Sequence, residues 1–378
     1  MFYIIVFASI LIPLLAKNKA TALKVSCSLL FILWGLQYDS TCDWPGMLEG
    51  WNDITNYIKG NANRGTREYE PLYVYLVRLF DFLGFYGWLI ICAVFDLTII
   101  YWLIKKFVHK EYYWLAIFIF VLRIDLCLLF INSNRQTLSL MFVLLSNIIM
   151  LTNTERKNSY ISYLKYFISL TLIFAATQIH TAAILGYISI PVFLFCKYYK
   201  SINKLFTISL FIVCNILFWG RYFINLDSDI FITLMESYEM DGFSGYMESL
   251  NLKQSRSIPE TILYCTIMNL GILMYKRMSV HMRFFATLSI IGIIMMGYMF
   301  ENLKRATQYY YVYLIILIPY IIEQIKELNY FKSYSLIKIT YSIVILFCIY
   351  SFIGGIKKNI IYHKWDNFQT IFSSTQLL

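Results

Sequence analysis

Charge is scarce in this chain: charged residues make up 14% of its 378 residues, against about a quarter in a soluble globular domain. Such a low share excludes an ordinary water-soluble fold. Hydrophobic residues account for 59%. A helix needs roughly 20 mainly apolar residues to cross the hydrocarbon core of a bilayer. The composition therefore predicts an all-α polytopic integral membrane protein.

Several signatures of other protein classes are also missing. No cysteine pair has zinc-site spacing, and no glycine-rich phosphate-binding loop is present. Only Cys42 of the eight cysteines falls in a predicted external loop, so no structural disulfide is expected. The absence of any Asn-x-Ser/Thr sequon favours a bacterial origin. Residues 1–16 lack the basic start of a secretory signal, and we expect the N-terminus outside.

About twelve apolar stretches are predicted to be transmembrane helices. Twelve crossings place both termini on one side, and residues 1–378 are expected to form a single transmembrane domain. The predicted segments are 2–16, 25–38, 86–104, 112–131, 136–152, 162–179, 181–196, 205–220, 259–275, 284–300, 307–324 and 334–353.

The basic residues reveal the orientation of these segments. They collect in every second gap, and those gaps hold only four acidic residues, Glu111, Glu155, Glu323 and Glu327. By the positive-inside rule this face is cytoplasmic, which places both termini in the periplasm. The net charge of +10 therefore reports membrane orientation, and we expect no nucleic-acid partner. Examples of these basic gaps are Lys17, Lys19 and Lys24; Lys105, Lys106 and Lys110; and Lys276, Arg277 and Arg283.

Two external loops are long, at about 39–85 and 221–258. The first ends in a short amphipathic stretch after Pro71, which is predicted to be a helix lying in the outer interface. Both loops are rich in aromatic residues, and the second is acidic in its middle. One interpretation is a lid over a sugar-containing substrate, with 221–258 as the candidate. The alternative is a solvated loop with a small core of its own.

Two arginines are the main candidates for binding an anionic substrate. Arg135 and Arg305 lie at helix starts on the outer face, where a charge inside apolar sequence is costly and marks a candidate site. A guanidinium is always charged and matches phosphate oxygens with its planar fork. Paired arginines in a dry pocket would hold a diphosphate. The alternative is that they reach lipid headgroups.

His180 and two acids are candidates for proton transfer. His180 lies where an apolar run of about 30 residues must turn back, and it could accept a proton, bind a hydroxyl or satisfy a backbone group. Asp43 and Glu70 lie in the first external loop, where the usual role of an acid is a solvated surface charge. Pairing between helices is expected of the charges inside apolar segments, Asp96, Arg123 and Asp125.

The order of these motifs is similar to that of a known family. The chain shows an acidic, aromatic first loop, then Glu70, Pro71 and Tyr73, then Asn134, Arg135 and Gln136, then His180, and last Arg305 and Tyr309. This order resembles the EpsG family of Wzy-type polymerases of bacterial exopolysaccharide, capsule and O-antigen. The resemblance covers residues from about 1 to 370. One departure is Cys42 before Asp43, where members often have glycine.

The resemblance implies a fold of the C-type membrane glycosyltransferase class. It also implies an inverting, metal-independent polymerase without a cofactor, in the bacterial inner membrane. A sugar hydroxyl of one lipid-linked repeat unit would attack the anomeric carbon of the growing chain and release undecaprenyl diphosphate. The implied partners are the undecaprenyl-diphosphate-linked oligosaccharide, the lipid bilayer and a chain-length regulator protein.

The same resemblance suggests roles for residues at matching positions. Arg135 and Arg305 would bind the diphosphate, and His180 would orient or deprotonate the acceptor hydroxyl, with Asp43 or Glu70 as alternates. Further substrate contacts are expected from Gln136, Tyr309, Arg221 and Arg256.

Two other functions fit the sequence. A glycosyltransferase that uses a polyprenyl-monophosphate sugar would employ Asp43 as its base. A flippase of lipid-linked oligosaccharides would place charges along a central cavity and tend to show two related halves. The charges of this chain cluster at one face instead.

Overall fold

The computed structural model of this chain is mostly helical. At 57–58, 159–162, 258–260, 296–298, 304–305 and 369–370 it describes the backbone alone. The chain divides into two compact units, unit 1 (Met1–Ser189 and Ile318–Leu378) and unit 2 (Ile190–Leu317). The described residues are 2–38, 44–58, 69–123, 126, 130–131, 133–152, 159–199, 202–220, 258–298, 304–327, 342–346, 348–350, 353 and 369–370.

The helices follow the apolar segments along the chain. Unit 1 contains α1 (Phe2–Leu15), α2 (Lys19–Gly35), α3 (Trp44–Ile58), α4 (Pro71–Leu79), α5 (Gly84–Phe107), α6 (Tyr113–Leu122), α7 (Asn134–Leu151), α8 (Ser159–Thr177) and a 3-10 helix (Thr181–Ile188). The chain continues as α9 (Ser189–Tyr198), α10 (Lys204–Gly220), α11 (Ile258–Met274), α12 (Val280–Tyr298), α13 (Lys304–Tyr311) and α14 (Leu314–Glu327).

The prediction of an all-α chain is confirmed, and each of the first eleven predicted segments overlaps a described helix. Segment 334–353 lies largely outside the described residues. Helix α2 begins six residues earlier than predicted because Asn18 caps it: its side-chain oxygen accepts a hydrogen bond from the Thr21 N–H at 3.1 Å.

Two helical stretches of the described residues are long and apolar enough to cross a membrane. They are Asp81–Phe107 and Thr181–Tyr198, and several other apolar helices are shorter than 18 residues. The number of twelve spans therefore stays a prediction.

Polar side chains join neighbouring helices within each unit. In unit 1, Ser146 of α7 and Ser169 of α8 each donate a hydroxyl hydrogen bond to the other's carbonyl, at 2.9 and 3.1 Å. In unit 2, the side-chain amides of Asn215 and Asn269 bind each other at 2.8 Å between α10 and α11. Such bonds satisfy polar groups inside an apolar helix bundle.

The first external loop contains a second helix, α3, that was not predicted. Trp44 and Trp51 of α3 are buried and pack with Phe85 and Trp88 at the start of α5. Since these rings are buried against protein, they are not available to stack on sugars. Helix α3 is therefore part of a buried cluster that it shares with α5. The candidate lid at 221–258 lies outside the described residues.

A short strand pair within unit 1 joins residues 369–370 to the end of the second helix. Strand β1 (Gln37–Tyr38) follows α2 directly, and it pairs antiparallel with β2 (Gln369–Thr370). The Gln37 side-chain amide also donates to the Ile131 carbonyl at 3.0 Å. Residues 369–370 therefore lie beside the start of the first external loop.

Candidate active site

The site begins with the way α4 attaches to the turn after α8. Pro71 occupies the first position of α4, where the N–H that proline lacks would have no helical partner. The next two N–H groups, of Leu72 and Tyr73, both donate to the Gln178 carbonyl, at 2.9 and 3.2 Å. Two of the N–H groups left unpaired at a helix start are therefore satisfied by the turn itself.

The Glu70 carboxylate connects three segments of unit 1. Its Oε2 accepts a hydrogen bond from Arg135 Nη1 at 2.9 Å, in an ion pair between the first loop and the first turn of α7. Its Oε1 accepts from both the backbone N–H and the hydroxyl of Thr181, each at 3.0 Å. Glu70 makes no capping bond to its own helix. Its carboxylate therefore binds across the fold, and does not act only as a surface charge at the start of α4.

Arg135 is oriented by tyrosines as well as by Glu70. Its guanidinium carbon lies 5.4 Å from the ring centre of Tyr69 and 6.0 Å from that of Tyr73, distances typical of cation–π contacts. The side chain is still 34% exposed. Among the described residues, its only hydrogen bond is the one from Nη1 to Glu70. Arg135 therefore holds a fixed position while most of its donors remain available to a ligand.

The two tyrosines beside Arg135, Tyr69 and Tyr73, differ in their surroundings. A Cβ on Gly50 of α3 would lie only 2.7 Å from the Tyr69 hydroxyl oxygen, so glycine permits the close approach of this ring. Burial raises the pKa of the Tyr73 phenol well above its ordinary value. Tyr73 is thus a neutral ring beside the guanidinium and no proton acceptor.

His180 lies next to this cluster and starts the 3-10 helix. Its Nδ1 accepts a hydrogen bond from the Ala182 N–H at 3.2 Å, so the imidazole acts as the helix cap. A neutral imidazole with Nδ1 as acceptor carries its proton on Nε2. In this arrangement Nε2 is a donor and cannot accept a proton.

Other predicted site residues lie elsewhere or outside the described part. Arg305 and Tyr309 belong to α13 of unit 2, and Tyr309 is 1% exposed. Gln136 is buried in the first turn of α7, directly after Arg135. The binding of one diphosphate by both Arg135 and Arg305 stays a prediction. Asp43, Arg221 and Arg256 lie outside the described residues.

Two of the three charges that lie inside apolar segments belong to the described residues. Asp96 and Arg123 are both buried. The Asp96 Oδ1 has no hydrogen-bond partner among the described residues, and Asp125 lies outside them. The described ranges also contain no group of three His, Cys, Asp or Glu residues that could hold a metal ion.

Sequence reasoning missed Tyr69, Gln178 and Thr181. Gln178 acts through its backbone carbonyl, which no side-chain pattern can reveal. Thr181 directly follows His180, and Tyr69 directly precedes Glu70. For Thr181 and Tyr69, the only signal in the sequence was that each lies next to a predicted site residue.

Comparison with known proteins gives one match. No curated protein and no solved structure matches the chain significantly. The model of the EpsG family matches residues 20–370. The resemblance inferred from the order of the motifs is thereby confirmed. The chain belongs to the EpsG family, which indicates a membrane protein with a polysaccharide polymerase type of role.

Proposed function

We propose that the protein is a polymerase that transfers a growing glycan from undecaprenyl diphosphate to a sugar hydroxyl of a lipid-linked repeat unit. The proposed reaction takes place at the periplasmic face of a bacterial inner membrane and produces an O-antigen, capsule or exopolysaccharide. Family membership supports this role. The observation that carries this proposal is the ion pair of Glu70 and Arg135. It places a carboxylate that can accept a hydroxyl proton next to a guanidinium that can bind phosphate.

The proposal includes a fold of about twelve spans in the C-type membrane glycosyltransferase class. Large apolar side chains are exposed along α1, α8 and α10, as contact with lipid requires; examples are Ile4, Phe167 and Ile216. The pairing of β1 with β2 keeps residues 369–370 beside the start of the first external loop. This pairing supports a periplasmic C-terminus.

In the proposed step, the oxygen of the acceptor hydroxyl bonds to the anomeric carbon while the bond from that carbon to the diphosphate breaks. The electron pair of the breaking bond leaves with the diphosphate, and the hydroxyl proton goes to a carboxylate. A single displacement of this kind inverts the anomeric carbon. Since diphosphate is a good leaving group, the main task of the protein is to stabilise the charge that develops on it.

Arg135 suits the diphosphate. Its guanidinium is charged at every physiological pH, it is partly exposed, and it uses one Nη for Glu70. The other donors can bind phosphate oxygens while the ion pair persists. Arg305, at the start of α13, is the second proposed phosphate ligand. Further substrate contacts are proposed from Gln136, Arg221, Arg256 and Tyr309.

Glu70 suits the acceptor hydroxyl better than His180 does. An ionised carboxylate only accepts hydrogen bonds, so it can bind the hydroxyl proton and take it as the new bond forms. His180 presents a donor at Nε2 while its Nδ1 caps the helix. Asp43 remains the alternate carboxylate.

Chain-length analysis in the parent bacterium tests the proposed function. Deletion is expected to leave single repeat units on lipid, and complementation to restore long polymer. If deletion truncates the repeat unit itself, the protein is a single-sugar transferase with another polyprenyl-phosphate donor.

A purified assay separates the polymerase from a flippase. The substrate is the lipid-linked oligosaccharide fraction extracted from the deletion strain. The wild-type protein should lengthen this glycan, and added EDTA should leave the rate unchanged. A flippase makes no longer product, so the absence of elongation would contradict the proposal.

A further inference from the structure

Thr181 binds Glu70 in an unusual way, since both of its donors meet one oxygen. The backbone N–H and the side-chain hydroxyl each donate to Glu70 Oε1 at 3.0 Å. The N–H belongs to the first residue of the 3-10 helix and would otherwise have no helical partner. Thr181 therefore holds one side of the carboxylate through two contacts that differ in chemistry.

The Glu70 carboxylate can accept one more hydrogen bond, and the open position is on Oε2. An ionised carboxylate has about four lone-pair positions, two on each oxygen. Thr181 uses both positions of Oε1, and Arg135 uses one position of Oε2. Among the described residues, no further group bonds to the Glu70 carboxylate. The open acceptor position is thus on Oε2, beside the guanidinium.

We propose that Thr181 is a positioning residue that fills Oε1 and so presents Oε2, beside Arg135, to the acceptor hydroxyl. This inference rests on the proposed polymerase function. Without the hydroxyl of Thr181, the carboxylate can rotate and the incoming sugar can bind Oε1 instead. The hydroxyl would then lie farther from the diphosphate that Arg135 binds.

A purely structural role for Thr181 predicts a different outcome. The attachment of α4 to the turn also depends on two backbone bonds, from the N–H groups of Leu72 and Tyr73 to the Gln178 carbonyl. No side-chain substitution at residue 181 removes these bonds. The loss of the Thr181 hydroxyl should therefore leave α4 attached and the protein folded, and should change the chemistry of Glu70 alone.

The test compares full-length variants Thr181→Val and Thr181→Ser in the purified elongation assay. Valine keeps the shape of threonine and removes the hydroxyl, while serine restores it. Thr177→Val is the matched control, because among the described residues the Thr177 hydroxyl donates only to the Phe174 carbonyl within its own helix, at 2.7 Å. Binding of undecaprenyl diphosphate alone and thermal stability are measured for each variant.

We expect Thr181→Val to lower kcat about ten- to hundredfold, the effect of losing a hydrogen bond to a charged group. Its KM, its affinity for undecaprenyl diphosphate and its thermal stability should stay at wild-type values. Thr181→Ser should recover kcat to within about threefold of wild type, and Thr177→Val should match wild type.

Two outcomes overturn the inference, and they differ from failure of the proposed function. If wild type elongates glycan and Thr181→Val does so at the same kcat, Thr181 does not position the carboxylate. If Thr181→Val loses stability and kcat together and serine restores neither, its role is structural. If wild type makes no longer product, the polymerase proposal itself fails.

Discussion

Two arginines at helix ends, one in each unit, have similar surroundings and very different hydrogen bonding. Arg135 in unit 1 and Arg283 in unit 2 each lie 6.0 Å from the centre of a tyrosine ring, those of Tyr73 and Tyr275. Arg283 donates from three nitrogens to three backbone carbonyls, those of Tyr275, Tyr199 and Lys276, at 3.3, 3.4 and 3.3 Å. Arg135 donates from one nitrogen to one carboxylate.

The difference separates a structural arginine from a candidate ligand-binding one. Arg283 satisfies carbonyls at the ends of helices, a role that a cation performs well at a helix C-terminus. The fold uses three of its five N–H donors. Arg135 is kept in place by Glu70 and two tyrosine rings while most of its donors remain available. The number of donors already used, and not the residue type, distinguishes the two.

Arg135→Ala should have the largest effect on polymer formation. The variant loses the donor that stabilises charge on the departing diphosphate, and we expect kcat to fall at least about a hundredfold. Arg135→Lys should stay severely impaired, because an ammonium cannot reproduce the planar fork. Polymer length in cells and elongation by purified protein measure the effect, with membrane insertion as control. Normal polymer from Arg135→Ala would remove Arg135 from the site.

Arg305→Ala should reduce polymer formation to a similar extent, because both guanidiniums are proposed to bind the same diphosphate. The informative comparison is the affinity of each variant for undecaprenyl diphosphate, measured on purified protein. Lys304→Ala, one residue away, is the matched control for loss of a basic side chain. If Arg305→Ala binds undecaprenyl diphosphate as tightly as wild type does, Arg305 is not a ligand of the diphosphate.

Glu70→Gln should lower kcat about ten- to hundredfold by removing the proton acceptor. The amide oxygen can still accept from Thr181, but the amide NH₂ then faces the Nη1 donor of Arg135. Glu49→Gln in α3 is the control for loss of an acid in the same loop. Unchanged elongation by Glu70→Gln would transfer the acceptor role to Asp43.

Arg283→Ala should affect stability and leave chemistry intact, the reverse of Arg135→Ala. Three backbone carbonyls lose a charged donor, and we expect unfolding to become easier by about 1–2 kcal/mol after allowance for partial exposure. Thermal unfolding of the purified protein measures this loss, and elongation per folded molecule should match wild type. If Arg283→Ala instead lowers kcat strongly at unchanged stability, Arg283 is not a purely structural arginine.

The sequence allowed the helices to be predicted but not their attachment. Apolar runs and the start of α4 at Pro71 are local signals, and the structure has helix at these positions. Helix α3 was missed although Trp44, Leu48, Trp51 and Ile54 repeat at helical spacing, because its acids and glycines resembled a loop. The bonds of Glu70 span 65 residues to Arg135 and 111 residues to Thr181. Only tertiary packing creates such contacts.

Gly50→Ala should produce the smallest effect, and it tests whether the tyrosine ring sets the position of Arg135. The new Cβ would lie 2.7 Å from the Tyr69 hydroxyl oxygen, so the ring must move. Because this ring lies beside the Arg135 guanidinium, we expect a severalfold fall in kcat at nearly unchanged stability. Combining Gly50→Ala with Tyr69→Phe removes the oxygen that the new Cβ would meet and should recover activity. Gly46→Ala in the same helix is the matched control, since a Cβ there meets no atom within 4 Å. A double variant no more active than Gly50→Ala would show that the ring does not orient the guanidinium.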